Sequence, residues 1–249
     1  TMQITSAMKM VSAAKLKRAQ DAITQMRPYA NKLTDLLEGL SGSLDSSEGG
    51  IYTQKRSIKN VLLVVVTSNR GLCGGFNAYI IKKAKNLISD DYKNANISIL
   101  SIGKKSSEHF DKNGFNVVGK HDDLYSELNF DSVAKVAENI MHKFVAGDYD
   151  KVVLVYNQFK NAATQIIMSE NFLPVQPPKQ QENQTRDYIF EPTKQEIVEQ
   201  LIPKSLKTQL FKAILDSHAA EHGARMTAMH KATDNAGELK KELTLTYNK

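Results

Sequence analysis

The sequence predicts an α/β protein in two parts: a long antiparallel coiled coil of its N- and C-terminal helices, and a three-layer α/β domain between them. Three observations lead there. Apolar residues recur by threes and fours over residues 1–45 and again over 193–249, the spacing of a coiled-coil seam. Each stripe is too narrow for its helix to stand alone in water, so the two ends are expected to pair. Residues 58–192 instead carry short continuous apolar runs alternating with helical ones, the pattern of strands buried on both faces between helices.

In the first helix the seam is assigned to Ile4, Met8, Val11, Ala22, Met26, Tyr29, Leu33, Leu36 and Leu40, with an interruption at Lys15 and Arg18. Residues 1–20 hold Lys9, Lys15, Lys17 and Arg18 and no acidic residue. Such a run is either a solvated face or an electrostatic contact with an acidic partner surface, and a place in a broken seam supports the second. The helical pattern is already running at Thr1 and still running at Lys249, without a cap at either end, so both ends are expected to be cut short. Residues 39–50, with four Gly and four Ser, read as a helix end and a flexible link.

Val61–Val66 then read as a buried strand, followed by Phe76, Ile80, Ile81, Ala84, Leu87 and Ile88 at helical spacing and by a second strand at Ile97–Ile102. That is a βαβ unit. Asp131 is expected to cap a further helix whose face is Val133, Val136, Ala137, Ile140, Met141 and Phe144, with Gly147 just after it. Val152–Tyr156 is another strand, and Gln165–Met168 and Tyr188–Phe190 are shorter ones suited to antiparallel pairing. The Pro- and Gln-rich stretch 174–185 is a loop. In the last helix the seam is Leu210, Ile214, Met226, Met229, Ala236, Leu239, Leu243 and Tyr247, with Ala219, Ala220, Ala224, Ala228 and Ala232 between them to let two helix axes approach closely.

Composition narrows the function. The net charge of +6, from 33 basic and 27 acidic residues, suits an acidic partner surface, and no nucleic-acid-binding motif accompanies it. No run of eighteen apolar residues is present to span a membrane. Cys73 is alone, which excludes an internal disulfide and a cysteine-based metal site and points to a reducing compartment. His218 and His222 stand at i and i+4 but lack the HExxH context, so they read as helix surface and no metal site is expected.

The turn after the first strand reads Ser68-Asn69-Arg70-Gly71-Leu72-Cys73-Gly74-Gly75-Phe76-Asn77. It lacks the GKS or GKT end of a P-loop and does not match GxGxxG, so no cofactor is expected. Its glycines are expected to serve a tight turn that presents Arg70 and Cys73 outward, with a weak anion site at the helix start as the alternative. A catalytic Cys73 would need a base, and the spacing places neither His109 nor His121 beside it.

Three segments together are recognisable: Ile4-Thr5-Ser6-Ala7-Met8-Lys9-Met10-Val11 with Ala14-Lys15-Leu16-Lys17-Arg18-Ala19-Gln20, the turn Arg70-Gly71-Leu72-Cys73-Gly74-Gly75 with Asn77, and Ala224-Arg225-Met226-Thr227-Ala228-Met229 with Ala232-Thr233-Asp234-Asn235-Ala236. They resemble, in order and across the whole chain, the gamma subunits of rotary F-type ATP synthases. The resemblance implies a Rossmann-like central domain on a coiled-coil shaft that turns inside a hexamer of alpha and beta subunits. It implies an epsilon subunit and a membrane c-ring at the lower end, and no catalytic residue, cofactor or metal in the chain itself.

It further implies that Lys9, Lys15, Lys17 and Arg18 lie towards an acidic loop of beta, that Arg70 and Cys73 face beta at the same level, and that Arg225 contacts the hexamer from the C-terminal helix. Ile4, Met8, Val11, Met226, Met229, Leu239 and Leu243 would form the seam. Asn69 stands where the family usually has Asp, and Gly223 where it usually has Ala. The extra cysteine pair of the chloroplast form is missing. The expected location is peripheral, on the cytoplasmic face of a bacterial inner membrane or on the matrix side of the mitochondrial one. A generic coiled-coil adaptor with an inactive α/β domain is the alternative, and it leaves the RGLCGG turn without a reason.

Overall fold

The computed structural model describes residues 1–41, 50–175 and 194–248. Helix α1 (Met2–Ser41) opens the chain, and strand β1 (Asn60–Val66) begins the domain. Then come α2 (Phe76–Asn86), β2 (Asn96–Ile102), α3 (Lys104–Lys112), β3 (Asn116–Lys120), α4 (Phe130–Ala146), β4 (Lys151–Phe159) and β5 (Gln165–Leu173). Helix α5 (Lys194–Tyr247) closes it. The expected strand at Tyr188–Phe190, the loop beyond residue 175 and residues 42–49 of the expected link fall outside the described residues.

The sheet has the order β3-β2-β1-β4-β5. Its first four strands are parallel, and β5 is antiparallel to β4. The VLLVVV run explains β1 at the centre: successive side chains point to opposite faces, and both faces need apolar atoms. Val61, Leu63 and Val65 pack with Ile80 and Ala84 of α2 and Phe110 of α3. Leu62, Val64 and Val66 pack with Ile140 and Phe144 of α4 and with Leu206, Leu210 and Ile214 of α5. The helix expected to form half of the rod thus also closes one face of the sheet.

Beyond the sheet α5 pairs antiparallel with α1. Leu16, Ala19 and Ile23 pack on Leu215 and Ala219, and Thr5 meets Thr233 with hydroxyls 2.7 Å apart. Among the described side chains of α1, the buried ones are Ser12, Leu16, Ala19, Ile23, Ala30 and Leu33, a three–four repeat displaced from the expected one. Ile4 and Val11 are 65% and 58% exposed, which corrects their assignment to the seam. One residue along a helix is ~100° around it, so a stripe centred on Ser12 and Leu16 leaves Val11 outside. The chosen face tolerates Ser and Ala because the two axes run close together. It also corrects the interruption at Lys15 and Arg18: Leu16 and Ala19 carry the seam past them.

Leu239 and Leu243 are 55% and 60% exposed. The terminal methyl of Met2 lies 3.5 Å from where a Cβ on Gly237 would stand, so the described contact of α1 with α5 ends near Gly237, before these two leucines. Met229 is buried, and Met8 and Met226 are half-buried.

Two domain elements were not expected, α3 and β3. Asn129 rather than Asp131 caps α4, accepting a hydrogen bond from Ser132 N at 2.9 Å. Gly147 ends α4 in the left-handed conformation as expected, at φ 88°.

Candidate functional site: the joint between rod and domain

In a doubly wound sheet the crevice beyond the central strands is the usual ligand position. Here the turn between β1 and α2 reaches that crevice, and α5 covers it. Cys73 and Phe76 pack on Ala220 of α5. Arg225 donates to the carbonyls of Arg70 at 2.9 Å and Gly71 at 3.2 Å, and its other arm is paired with Glu221 one helical turn back. Asn157 of β4 donates to Phe76 O at 3.1 Å.

The turn is stiffened from within. Asn77 accepts from Ser68 N at 3.0 Å and donates to Ser68 Oγ at 2.8 Å, and Ser68 Oγ lies 2.7 Å from Arg70 O. Leu72 is held at φ 63° and Gly74 at φ 60°. Left-handed backbone is costly for a leucine, and Leu72 is also exposed. At Gly75 the restriction is space: a Cβ would stand 2.6 Å from the Tyr79 ring. Asn69 donates to Asp122 O at 2.8 Å and accepts from Lys104 N at 3.0 Å, two roles that a carboxylate cannot fill together.

This geometry corrects two assigned contacts. Cys73 is 1% exposed, beneath the turn rather than outward. Burial raises its thiol pKa, against the lowering pull of the Ser68 hydrogen bond and the Arg225 charge, so the packing that buries the thiol also disfavours the thiolate. Arg225 is 9% exposed and spends its guanidinium on its own chain, so it acts as a tether between α5 and the turn. Arg70 is exposed, as expected, with its side chain free to face a partner.

The basic cluster stays on the surface. Lys15, Lys17 and Arg18 are exposed and Lys9 is half-buried; Lys17 pairs with Asp21 at 3.0 Å. Lys15 lies close enough to α5 for its charge to act on His218, Glu221 and His222. The structure therefore brings Lys15, the backbone at Arg70, and Arg225 to one level of the rod.

His218 and His222 are not on the helix surface. Their Nε2 atoms are 3.0 Å apart, His222 is buried, and Tyr125 stacks obliquely on His218 with ring centroids 5.7 Å apart. The i, i+4 spacing of both His218/His222 and Glu221/Arg225 was visible in the sequence. What covers them was not. Gly223 has a packing reason as well: a Cβ there would stand 3.1 Å from Ala162 Cα and O, so glycine lets α5 press against the β4–β5 turn.

The ATP synthase family profile matches residues 1–249. A curated relative named ATP synthase gamma chain from Flavobacterium johnsoniae is 60% identical over 250 residues, covering 100% of this chain and 87% of its own. One of the same name from Chlorobaculum tepidum is 41% identical over 254 residues, with 100% and 87% covered. Among solved structures, the central stalk and c-ring of the Tetrahymena thermophila mitochondrial ATP synthase superposes with a TM-score of 0.70 at 26% identity, covering 92% of this chain and 99% of that one. The rotor of the Euglena gracilis mitochondrial ATP synthase matches the fold with a TM-score of 0.70 at 21% identity, covering 99% and 91%. With its helix pair, its mainly parallel sheet and its sequence matched from end to end, the chain belongs to the ATP synthase gamma-chain family.

Proposed function

We propose that this chain is the central rotor shaft of an F-type ATP synthase, coupling proton flow through the membrane c-ring to conformational change at catalytic beta subunits. The observation that carries the reading is the rod itself. Helix α5 has 54 residues, roughly 80 Å at ~1.5 Å per residue, and pairs with α1 through Leu215 and Ala219. A rod of that length, far longer than the domain it joins, suits the inside of a surrounding hexamer of alpha and beta subunits. Rotation of an asymmetric shaft favours a different state at each beta subunit in turn, and only differential contact can shift those populations.

The chain supplies no catalytic residue in this reading. Coverage of the sheet crevice by α5 and the burial of Cys73 support that. Lys9, Lys15, Lys17, Arg18 and Arg70 are the residues offered to beta, and Cys73 and Arg225 shape that surface from beneath. Epsilon and the c-ring are the partners at the lower end, with the complex held peripherally on the cytoplasmic face of a bacterial inner membrane.

The test is reconstitution of the complex in sealed vesicles with and without this chain. ATP-driven proton uptake is expected only with the chain present. Equal uptake without it would end the rotor reading.

A further inference from the structure

The His218–His222 contact has a particular electrical setting. An Nε2···Nε2 hydrogen bond needs one ring to donate and the other to offer a lone pair, so the 3.0 Å contact fits a neutral or singly protonated pair and excludes a doubly protonated one. His222 Nδ1 is buried with no partner. The groups facing the pair come from every element packed there. From α1 comes Lys15, and from α5 itself come Arg225 and Glu221. From the 3-10 turn Asp123–Tyr125 comes Tyr125, whose buried hydroxyl lies near Ser217 but short of hydrogen-bond geometry. The β1–α2 turn brings the Cys73 thiol and the Arg70 carbonyl under Arg225. The β4–β5 turn brings only backbone at Ala162. Asp122 and Asp123 act on His121.

Among the described residues, two cations and one carboxylate therefore surround the pair, and Arg225 already engages that carboxylate. A first added proton places a charge in a buried position beside Lys15 and Arg225. A second sets N–H against N–H and breaks the bond between the rings. Half-buried His218 gives protons a route in.

We propose that the facing rings of His218 and His222 are a protonation-sensitive joint, whose charging loosens α5 from Lys15 of α1, from Tyr125 and from the turn at residues 70–71 while the sheet stays intact. Burial, with the neighbouring positive charges, already holds His218 down to about 4 and His222 to about 3. Burial raises Glu221, against the lowering pull of Arg225 and Lys15, so the carboxylate facing the pair is itself harder to keep charged.

The sign follows from linkage. Both histidines have folded pKa values below the unfolded value of ~6.5, so above that pH neither state is charged and they leave stability unchanged. Below it the unfolded chain binds protons that the folded one does not, and each ring raises the unfolding constant by up to ~tenfold per pH unit until its folded pKa is reached. The window runs from about pH 6.5 down to the folded values near 4 and 3.

The test compares the whole chain with H218Q/H222Q in urea unfolding from pH 7.5 to 5, with H230Q as the exposed control. The wild type and H230Q are expected to lose stability more steeply below about pH 6.5 than the double variant, by up to ~tenfold per pH unit per ring. Hydrogen exchange on the wild type, corrected for intrinsic rates, is expected to lose protection first in residues 12–19 and 214–226, at a higher pH than β1 and β4, whose protection follows global stability. Equal pH slopes in wild type and double variant, or loss of protection in β1 and β4 as early as in residues 12–19 and 214–226, would overturn the proposal. If the double variant does not fold, exchange in the wild type decides alone.

Discussion

At the scale of single residues, Arg225 carries the most. Its guanidinium ties α5 to two carbonyls of the β1–α2 turn and neutralises Glu221 in the same buried space. Removing one partner of a buried pair leaves the other's charge uncompensated, at ~3–5 kcal/mol. Arg225→Ala is expected to lower stability by about that much, and Glu221→Gln by less, since Gln can still accept from Arg225. Chemical denaturation of the three proteins checks the order. Cys73 offers a local probe of the same tether: thiol labelling is expected to be slow in the wild type and markedly faster in Arg225→Ala, because the turn over the sulfur loses its anchor. Fast labelling of the wild type would contradict the burial of Cys73. Gly223 completes the joint. Alanine there gains ~1 kcal/mol of helix propensity, but its Cβ would press on Ala162 backbone, so Gly223→Ala is expected to lower Tm.

At the scale of elements, the seam of α1 separates two readings of one sequence. Leu16 and Ile23 are buried against α5, whereas Val11 is exposed. Leu16→Ala and Ile23→Ala are each expected to cost ~2–4 kcal/mol, and Val11→Ala under ~0.5 kcal/mol; a large loss at Val11 would restore the displaced seam. The paired helices and the buried strand β1 were legible because apolar periodicity and a run like VLLVVV leave few alternatives. The rotation of α1 was not, since Ser12 and Ala19 count for little on any hydrophobic scale and yet suit a close crossing. Strand β3 and helix α3 escaped for a related reason. At the sheet's edge, Asn116–Lys120 alternates half-buried with exposed residues, and α3 buries two serines beside Phe110. Of the candidate site, the exposed Arg70 and the surface lysines were readable. The burial of Cys73, Arg225 and the histidines depends on α5 crossing the β1–α2 turn some 150 positions away in the chain, a contact that no local pattern encodes.

At the scale of the whole molecule, the rod and the domain are one mechanical piece. The same helix fills a sheet face through Leu206, Leu210 and Ile214 and then pairs with α1 through Leu215 and Ala219, so torque on the rod reaches the domain without a linker. The exposed Lys15, Lys17 and Arg18 sit beside this junction. Single pairs on such a surface are worth ~0–1 kcal/mol and are screened over ~8–10 Å, so single alanine changes are expected to leave ATP hydrolysis intact. Replacing all three by Glu is expected to alter hydrolysis or proton pumping at low salt, with recovery at high salt and an unchanged circular dichroism spectrum. Wild-type activities at low salt would make the cluster a solvated face.

The account rests most heavily on the chain turning as a shaft, and rotation can be watched. With Cys73 buried, a single cysteine introduced at exposed Lys82 of α2 can carry a fluorescent or bead probe while the alpha–beta hexamer is fixed to a surface. The expected result is unidirectional rotation of the probe on adding ATP, ceasing when ATP is withdrawn. A complex that hydrolyses ATP at its normal rate while the probe stays fixed in orientation would contradict the account.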